Sequence, residues 1–381
     1  MATQNIIPFF GIKRQYANLR EEILDCTDKV YSSGRVLDGE YTAKFEDAIA
    51  ARCDRQYAIA VNSCTQGLIL ALQCIERPGP VLVPTMSFAA TLNSVLMTSH
   101  TPEFVDVDYL GLMDLESVNF SLRGRYIAGI MYVNLFGNTI DYDRFRILTE
   151  FIGEAPVVIE DAAQSFGASY KGIPSGKMGD ISVLSFDPTK NLPNYGSGGM
   201  ILTDNPTFAA TLSDFRDNGK ASMHDFPGTN SKMSESDCAQ MLVKLQYFDE
   251  WQERRNAIAT YYTQQLSPYV DVLGPQPDVT HAWHKYVLRV HSQRSKLKHH
   301  LELKGIETKI HYPQPLDTLG VGAMYAHEGV GQNSAMLSKE SLSLPIYPEL
   351  RDSEVEYIAE QITEYFAGHR QQFDLPLIPI H

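Results

Sequence analysis

A run of β-branched residues, Val157-Val158-Ile159, ends in two carboxylates, Glu160 and Asp161, and continues as Ala162-Ala163-Gln164. A chain that leaves a buried strand on an acid puts that acid at the strand's carboxyl end, where α/β sheets collect ligands. The plain alternative is an aspartate that caps the next helix. Lys190 tips the balance. It follows Asp161 by 29 residues, inside Ser185-Phe186-Asp187-Pro188-Thr189-Lys190-Asn191, and the connection runs on through Pro193 and Asn194 to Gly198-Gly199. A loop lysine is ordinarily a solvated charge. Here an apolar strand enters the connection and a glycine pair leaves it, which sets the amine over the sheet edge.

A buried amine and a carboxylate are what pyridoxal phosphate chemistry requires. The amine forms a Schiff base with the cofactor's aldehyde, and the carboxylate keeps the pyridine nitrogen protonated so that the ring accepts electrons. Such a cofactor also needs an aromatic plate and a phosphate cup. Ser87-Phe88 follows an apolar run and offers the plate. Asn62-Ser63-Cys64-Thr65-Gln66 joins a strand-like run to a helical one, so its amides and hydroxyls face a helix N-terminus, where dianions bind. Taken singly, Phe88 reads as a core aromatic and Ser63 and Thr65 as helix caps. In this order along one α/β chain they read as a site.

The surrounding pattern supplies the elements to hold them. Residues 58–61, 81–84, 103–107, 126–133, 156–160, 181–186 and 199–202 read as strands, with helices at 65–75, 88–97 and 142–151. Alternation of this kind predicts the α/β class, with a mainly parallel central sheet and helices on both faces. Past Met233 the texture changes. A long helical stretch at 235–265 leads through Gly274-Pro275-Gln276-Pro277 to a strand at 285–290, a helix at 295–304, a strand at 307–311 and a terminal helix at 353–367. The expected division is a large cofactor-binding α/β domain, residues 1–245, whose first residues are free to pack on the other unit, and a small α+β domain, residues 246–381. The tail at 371–381, with Pro376 and Pro379, reads as loosely packed.

Composition narrows the function. The 381 residues carry 46 acidic against 32 basic side chains, a net charge of −14, which argues against a nucleic-acid polymer. A small phosphorylated ligand held by backbone amides leaves no such trace. Five scattered cysteines without a CxxC pair read as reduced thiols and offer no metal site. Neither a secretory leader nor an apolar stretch of about 18 residues is visible, so a cytoplasmic protein without a membrane partner is expected.

Together the motifs resemble the DegT family of sugar aminotransferases, within the fold-type I, aspartate aminotransferase-like pyridoxal phosphate enzymes. The resemblance runs from Ile7-Pro8-Phe9 to His311-Tyr312-Pro313. It is carried by Ser33-Gly34, Gly39 to Glu46, Asn62-Ser63-Cys64-Thr65, Glu160 to Gln164, Ser185 to Asn191 and Gly228-Thr229-Asn230. It implies that Lys190 is the Schiff-base and proton-transfer residue. Asp161 would pair with the pyridinium, Gln164 would lie beside the phenolic oxygen, and Phe88 would stack on the ring. Ser63, the Cys64 amide, Thr65 and Ser185 would cradle the phosphate. Asn230 would reach the phosphate in the neighbouring subunit, making the site a property of a homodimer. His311 and Tyr312 would lie near the sugar entrance.

The implied reaction converts a nucleotide-linked keto-deoxysugar, 3-keto or 4-keto, to the amino sugar. L-glutamate would be the donor, and the cofactor would pass through its pyridoxamine phosphate form. The spacing from Lys190 to Gly198-Gly199 resembles that of members acting at carbon 3. Sugar dehydratases of the same fold replace the Schiff-base lysine by histidine, so Lys190 counts against that alternative. A catalytically silent regulatory or binding protein is the other, disfavoured by intact Asp161, Gln164 and Lys190. Three departures stand out. Cys64 replaces a glycine and would be strained at positive φ. Lys232 replaces an arginine and loses its fork. Ser197 replaces an acidic residue.

Overall fold

The computed structural model describes residues 6–122, 124–150 and 155–370. Helix α1 (Ile12–Ser33) buries Leu19, Ile23, Cys26 and Val30, a three-and-four spacing along one face, and stops at Gly34 in the left-handed region. Helix α2 (Glu40–Arg52) follows. Alternation then sets in with β1 (Tyr57–Val61), α3 (Cys64–Gln73), β2 (Pro80–Pro84), α4 (Ala89–Leu96), β3 (Thr101–Val105), α5 (Leu115–Ser121), β4 (Gly129–Val133), α6 (Tyr142–Glu150) and β5 (Val157–Asp161). A short ribbon, β6 (Ser169–Tyr170) and β7 (Ile173–Pro174), precedes β8 (Ile181–Ser185) and β9 (Gly199–Thr203).

The seven-stranded sheet has the order β1-β9-β8-β5-β4-β2-β3. Crossover connections, through helices from β2 to β5 and through the β6–β7 ribbon from β5 to β8, make β2, β3, β4, β5 and β8 parallel, while β9 is antiparallel to both β8 and β1. The reversal has a simple cause. The connection from β8 to β9 stays at one end of the sheet, Ser185 lying opposite Gly199, so the chain returns beside the strand it left. That return loop carries Lys190 and lies at the same sheet edge as the end of β5. Strands covered on both faces read as unbroken apolar runs. Val81 and Val83 accordingly enter one core, with Leu68, Leu72 and Val183, while Leu82 enters the other, with Ile130 and Phe145.

After α7 (Pro206–Arg216), helix α8 (Glu235–Leu245) packs with α1 and α2. A third core joins Leu19, Phe45 and Ile49 to Met241 and Phe248. Then come α9 (Phe248–Leu266), β10 (Asp271–Val272), β11 (Val279–Thr280), β12 (Tyr286–Arg289), α10 (Arg294–Leu303), α11 (Gln332–Glu340), β13 (Ser341–Leu344) and α12 (Asp352–Arg370). A sheet of order β10-β12-β13 packs with α9, α10 and α12 around Tyr262, Leu288, Leu297 and Ile358, and Ile7 is buried in that same core. Among the described residues no helix is long and apolar enough to cross a membrane.

Two local expectations are corrected. The stretch 235–265 is two helices, because tight turns from Gln246 to Val243 and from Tyr247 to Lys244 redirect the chain among residues that all favour helix. The expected strand at 307–311 is extended chain with a single bridge, Lys309 to Ser343. That bridge lies on the outer side of β13, and just past it Pro313 and Pro315 lack donors to extend a ladder. The tail at 371–381 lies outside the described residues.

Candidate active site

The end of β5 separates its two carboxylates by the two-residue period of a strand. Glu160 turns into the protein and accepts from Asn134 Nδ2 (2.8 Å), Ser175 Oγ (2.9 Å), Ser182 Oγ (2.6 Å) and the amides of Gly176 (2.9 Å) and Met178 (3.0 Å). So many donors make it a structural anchor. Asp161 takes the other face, 4% exposed, and lines a cavity of about 380 Å³. Its Oδ2 accepts from Thr91 Oγ1 (3.0 Å) and its Oδ1 from the Ala163 amide (3.1 Å). Since Thr91 donates to Asp161, its oxygen accepts from Ser87 Oγ, 2.8 Å away. Burial raises the Asp161 carboxyl above its usual range, opposed by these bonds and by the Lys190 charge.

Lys190 lines the same cavity. Its loop is tied within itself, as the Lys190 amide donates to the Asp187 carbonyl (2.9 Å) and Asp187 Oδ1 accepts from Thr189 Oγ1 (2.7 Å). Asn191 Nδ2 then anchors it to the Ala282 carbonyl (2.7 Å). Burial lowers the Lys190 ammonium below its usual value, enlarging the neutral, nucleophilic fraction.

Ser63 caps α3, accepting from the Gln66 amide (3.1 Å), so the Cys64 and Thr65 amides at the helix start have no intrahelical acceptor. Cys64 is the first residue of α3 and is absent from the positive-φ positions, so the expected strain does not arise. Its thiol is pushed well above its usual value by burial and stays protonated. Gly199 explains how β9 fits here, for a Cβ would lie 2.7 Å from Cys64 N and 2.8 Å from Ser63 C. Ser185, at the end of β8 opposite Gly199, completes this wall.

Phe88 lines the cavity and is 59% exposed, a large apolar side chain left open to it. Tyr312 lies beside it, ring centroids 6.1 Å apart, and accepts from Gln164 Nε2 (2.9 Å). Gln164 Oε1 accepts from the Phe136 amide (3.1 Å) and faces His284 Nδ1 (3.2 Å), whose Nε2 meets the Thr189 carbonyl (3.1 Å). Burial and nearby Lys285 hold His284 neutral, so it donates to one of these two acceptors. His311 bonds Ser343 Oγ (2.8 Å) and is pushed down to about 2 by burial and by Lys285.

The cavity thus gathers Ser63, Cys64, Thr65, Phe88, Asp161, Gln164, Ser185, Lys190, His311 and Tyr312. Asn230 stands outside it, exposed, bridged to Asp217. Lys232 is paired within the chain to Asp217. Sequence reasoning missed Thr91, His284, Lys285 and Lys309. Thr91 has a signal, standing one helical turn after Ser87. His284 and Lys285 have only the oddity of polar groups just before Tyr286-Val287-Leu288, and Lys309 has none.

Pyridoxal phosphate fits this donor set. A helix N-terminus stands at one end, a buried carboxylate lies against a hydroxyl-lined floor, an amine has its charge disfavoured, and an aromatic face is open. Among the described residues no cluster suited to a metal ion occurs.

Comparison with known proteins agrees. The chain is 33% identical over 370 residues to the pleiotropic regulatory protein of Geobacillus stearothermophilus, covering 94% of this chain and 98% of that one. It is 32% identical to dTDP-3-amino-3,4,6-trideoxy-alpha-D-glucose transaminase of Streptomyces venezuelae, covering 94% and 96%. The crystal structure of S. venezuelae DesV in complex with a ketimine intermediate superposes with a TM-score of 0.90 at 31% identity, over 94% of this chain and 98% of that one. Residues 17–363 match the sequence profile of the DegT/DnrJ/EryC1/StrS aminotransferases, and the chain belongs to that family.

Proposed function

We propose that the protein is a pyridoxal phosphate-dependent aminotransferase that aminates a nucleotide-linked keto-deoxysugar, with L-glutamate as donor, and works as a cytoplasmic homodimer. The observation that carries this is the convergence of Lys190 and Asp161 on one cavity whose wall is the amino end of α3. When bound, the cofactor supplies an aldehyde that captures amines and a ring that draws electrons from the captured carbon. Asp161, braced by Thr91 and the Ala163 amide, would hold the proton on the ring nitrogen. Ser63, Thr65, Ser185 and the Cys64 amide hold the phosphate, and Phe88 covers the ring. Gln164, fixed between the Phe136 amide and Tyr312, presents its side chain to the cofactor's edge. Lys190, its ammonium disfavoured by burial, would be the amine that holds the cofactor's aldehyde and the base that moves a proton beside it.

His311 and Tyr312 frame the sugar entrance. Asn230 serves the partner's site, a reading supported by its exposure beside Met223 and Phe226, which are 85% and 58% exposed. The S. venezuelae transaminase is named for a sugar with its amine at carbon 3. The Lys190 to Gly198-Gly199 spacing supports the same carbon here.

The purified, cofactor-loaded protein tests this reading. L-glutamate should convert the cofactor's absorption to that of its amine form. A panel of nucleotide-linked 3-keto and 4-keto sugars, read by mass, should then reverse it and yield an amino sugar. An absorption band indifferent to every amino acid would sink the proposal.

A further inference from the structure

Two lysines in the cavity have no task in the chemistry above. Lys285 directly precedes β12 and is 4% exposed, whereas Lys309, on the neighbouring extended segment, is exposed. Both line the cavity that holds Lys190. Their ammonium nitrogens stand 4.5 and 4.7 Å from the centroid of one ring, Phe10, which bounds their separation at about 9 Å. Among the described residues neither ammonium forms an ion pair with a carboxylate. The carboxylate that acts on Lys285 is Asp187, already engaged by Thr189.

Contact with Phe10 does not account for the burial of Lys285. A cation over an aromatic face is worth about 0.5–2 kcal/mol, whereas burying an ammonium without a counter-charge costs several kcal/mol. Burial and the charges of Lys190, Arg255 and Lys309 all disfavour the Lys285 cation, so an arriving anion would be strongly favoured.

Three anions could arrive. The cofactor's phosphate has its own cup at the start of α3, away from β12. A sugar nucleotide's diphosphate is separated from a keto carbon at position 3 or 4 by other ring atoms. The donor's α-carboxylate is one bond from its reacting carbon, and that carbon must come to Lys190. We propose that Lys285 and Lys309 form a dicarboxylate subsite that selects the amino donor, taking the two carboxylates of an acidic amino acid while its amine is delivered beside Lys190. This rests on the aminotransferase reading and assigns the donor specificity of the same site.

The test compares cofactor-loaded wild type, Lys285→Met and Lys309→Met in the separate half-reactions, with L-glutamate against L-glutamine as donors. Each loss of a charged hydrogen bond should lower the glutamate efficiency about 10- to 100-fold, collapse the glutamate-to-glutamine ratio, and leave the keto-sugar half-reaction unchanged. Lys285→Arg, which keeps the charge, should recover part of the preference. Glutarate, which cannot react, should raise the melting temperature of wild type and not of the Met variants. A ratio unchanged in both variants would overturn the subsite while leaving the aminotransferase reading intact. Losses confined to the keto-sugar half-reaction, or to cofactor affinity, would overturn it too, by moving the anion to a diphosphate or to the cofactor. If wild type exchanges amines with no amino acid, both readings fall.

Discussion

Thr91→Val removes one hydroxyl and keeps the shape of the side chain. In the structure that hydroxyl donates to Asp161 Oδ2 at 3.0 Å, and Asp161 is buried enough that water is poorly placed to replace it. A hydrogen bond to a charged group contributes about 1.5–3 kcal/mol, or roughly one to two pKa units at 1.36 kcal/mol per unit. The direction is fixed by the site. Burial already raises Asp161, Thr91 opposes that, and its loss raises the carboxyl further. The ionised fraction at a given pH therefore falls, and the acid limb of the pH–rate profile should move upward by about one to two pH units. The assay is the rate of the cofactor's absorption change with L-glutamate, measured across pH for wild type, Thr91→Val and Thr91→Ser. Serine keeps the donor and should stay near wild type. A Thr91→Val profile that overlays wild type, or a Thr91→Ser profile as displaced as that of Thr91→Val, would refute the role given to this hydroxyl.

Further outcomes follow from the same geometry. Gly199→Ala would press a Cβ to 2.7 Å from Cys64 N, so it should cost about 1–3 kcal/mol and weaken cofactor binding. Gly198→Ala meets the flexible end of Met233 at 3.0 Å and should do neither, as denaturant titration and cofactor affinity can show. Mixing Lys190→Ala chains with Asn230→Asp chains, each impaired alone, should restore one complete site per mixed dimer; no recovery would count against a shared site. His281 is buried and pushed down to about 3, so it contributes stability that is complete above about pH 6.5 and is lost as the pH falls toward 3. Replacing it with Asn should flatten the stability–pH slope in that window by up to about 1.4 kcal/mol per unit, read from denaturant midpoints.

The part of the site between Ser63 and Gly199 was legible because it is written in contiguous stretches. The apolar run into Asp161 and the loop from Ser185 to Gly199 each announce a strand end, whereas the antiparallel return of β9 has no signal in either stretch. Glu160 and Asp161 look alike in sequence; only the alternation of β5 sends one to five donors and the other to the cavity. Cys64 reads as a strained substitution until α3 is seen to begin at that residue. What stayed hidden depends on distant pairing. Strand β13 is four residues long and exists because β12 supplies its ladder. The long helices α1 and α2 precede the alternation and pack against α8, some two hundred residues away in sequence. Lys285 and Lys309 meet over a phenylalanine near the N-terminus, a contact that no local pattern encodes.

The central claim is that Lys190 moves nitrogen from an amino acid to a keto-sugar. Supplying heavy-nitrogen L-glutamate and a nucleotide-linked keto-sugar to the loaded protein, then weighing the sugar product, measures that transfer directly. Wild type should deliver the heavy nitrogen into the sugar, and Lys190→Ala, still folded, should not. Label-free sugar from wild type, or labelled amino sugar from Lys190→Ala at the wild-type rate, would contradict the account.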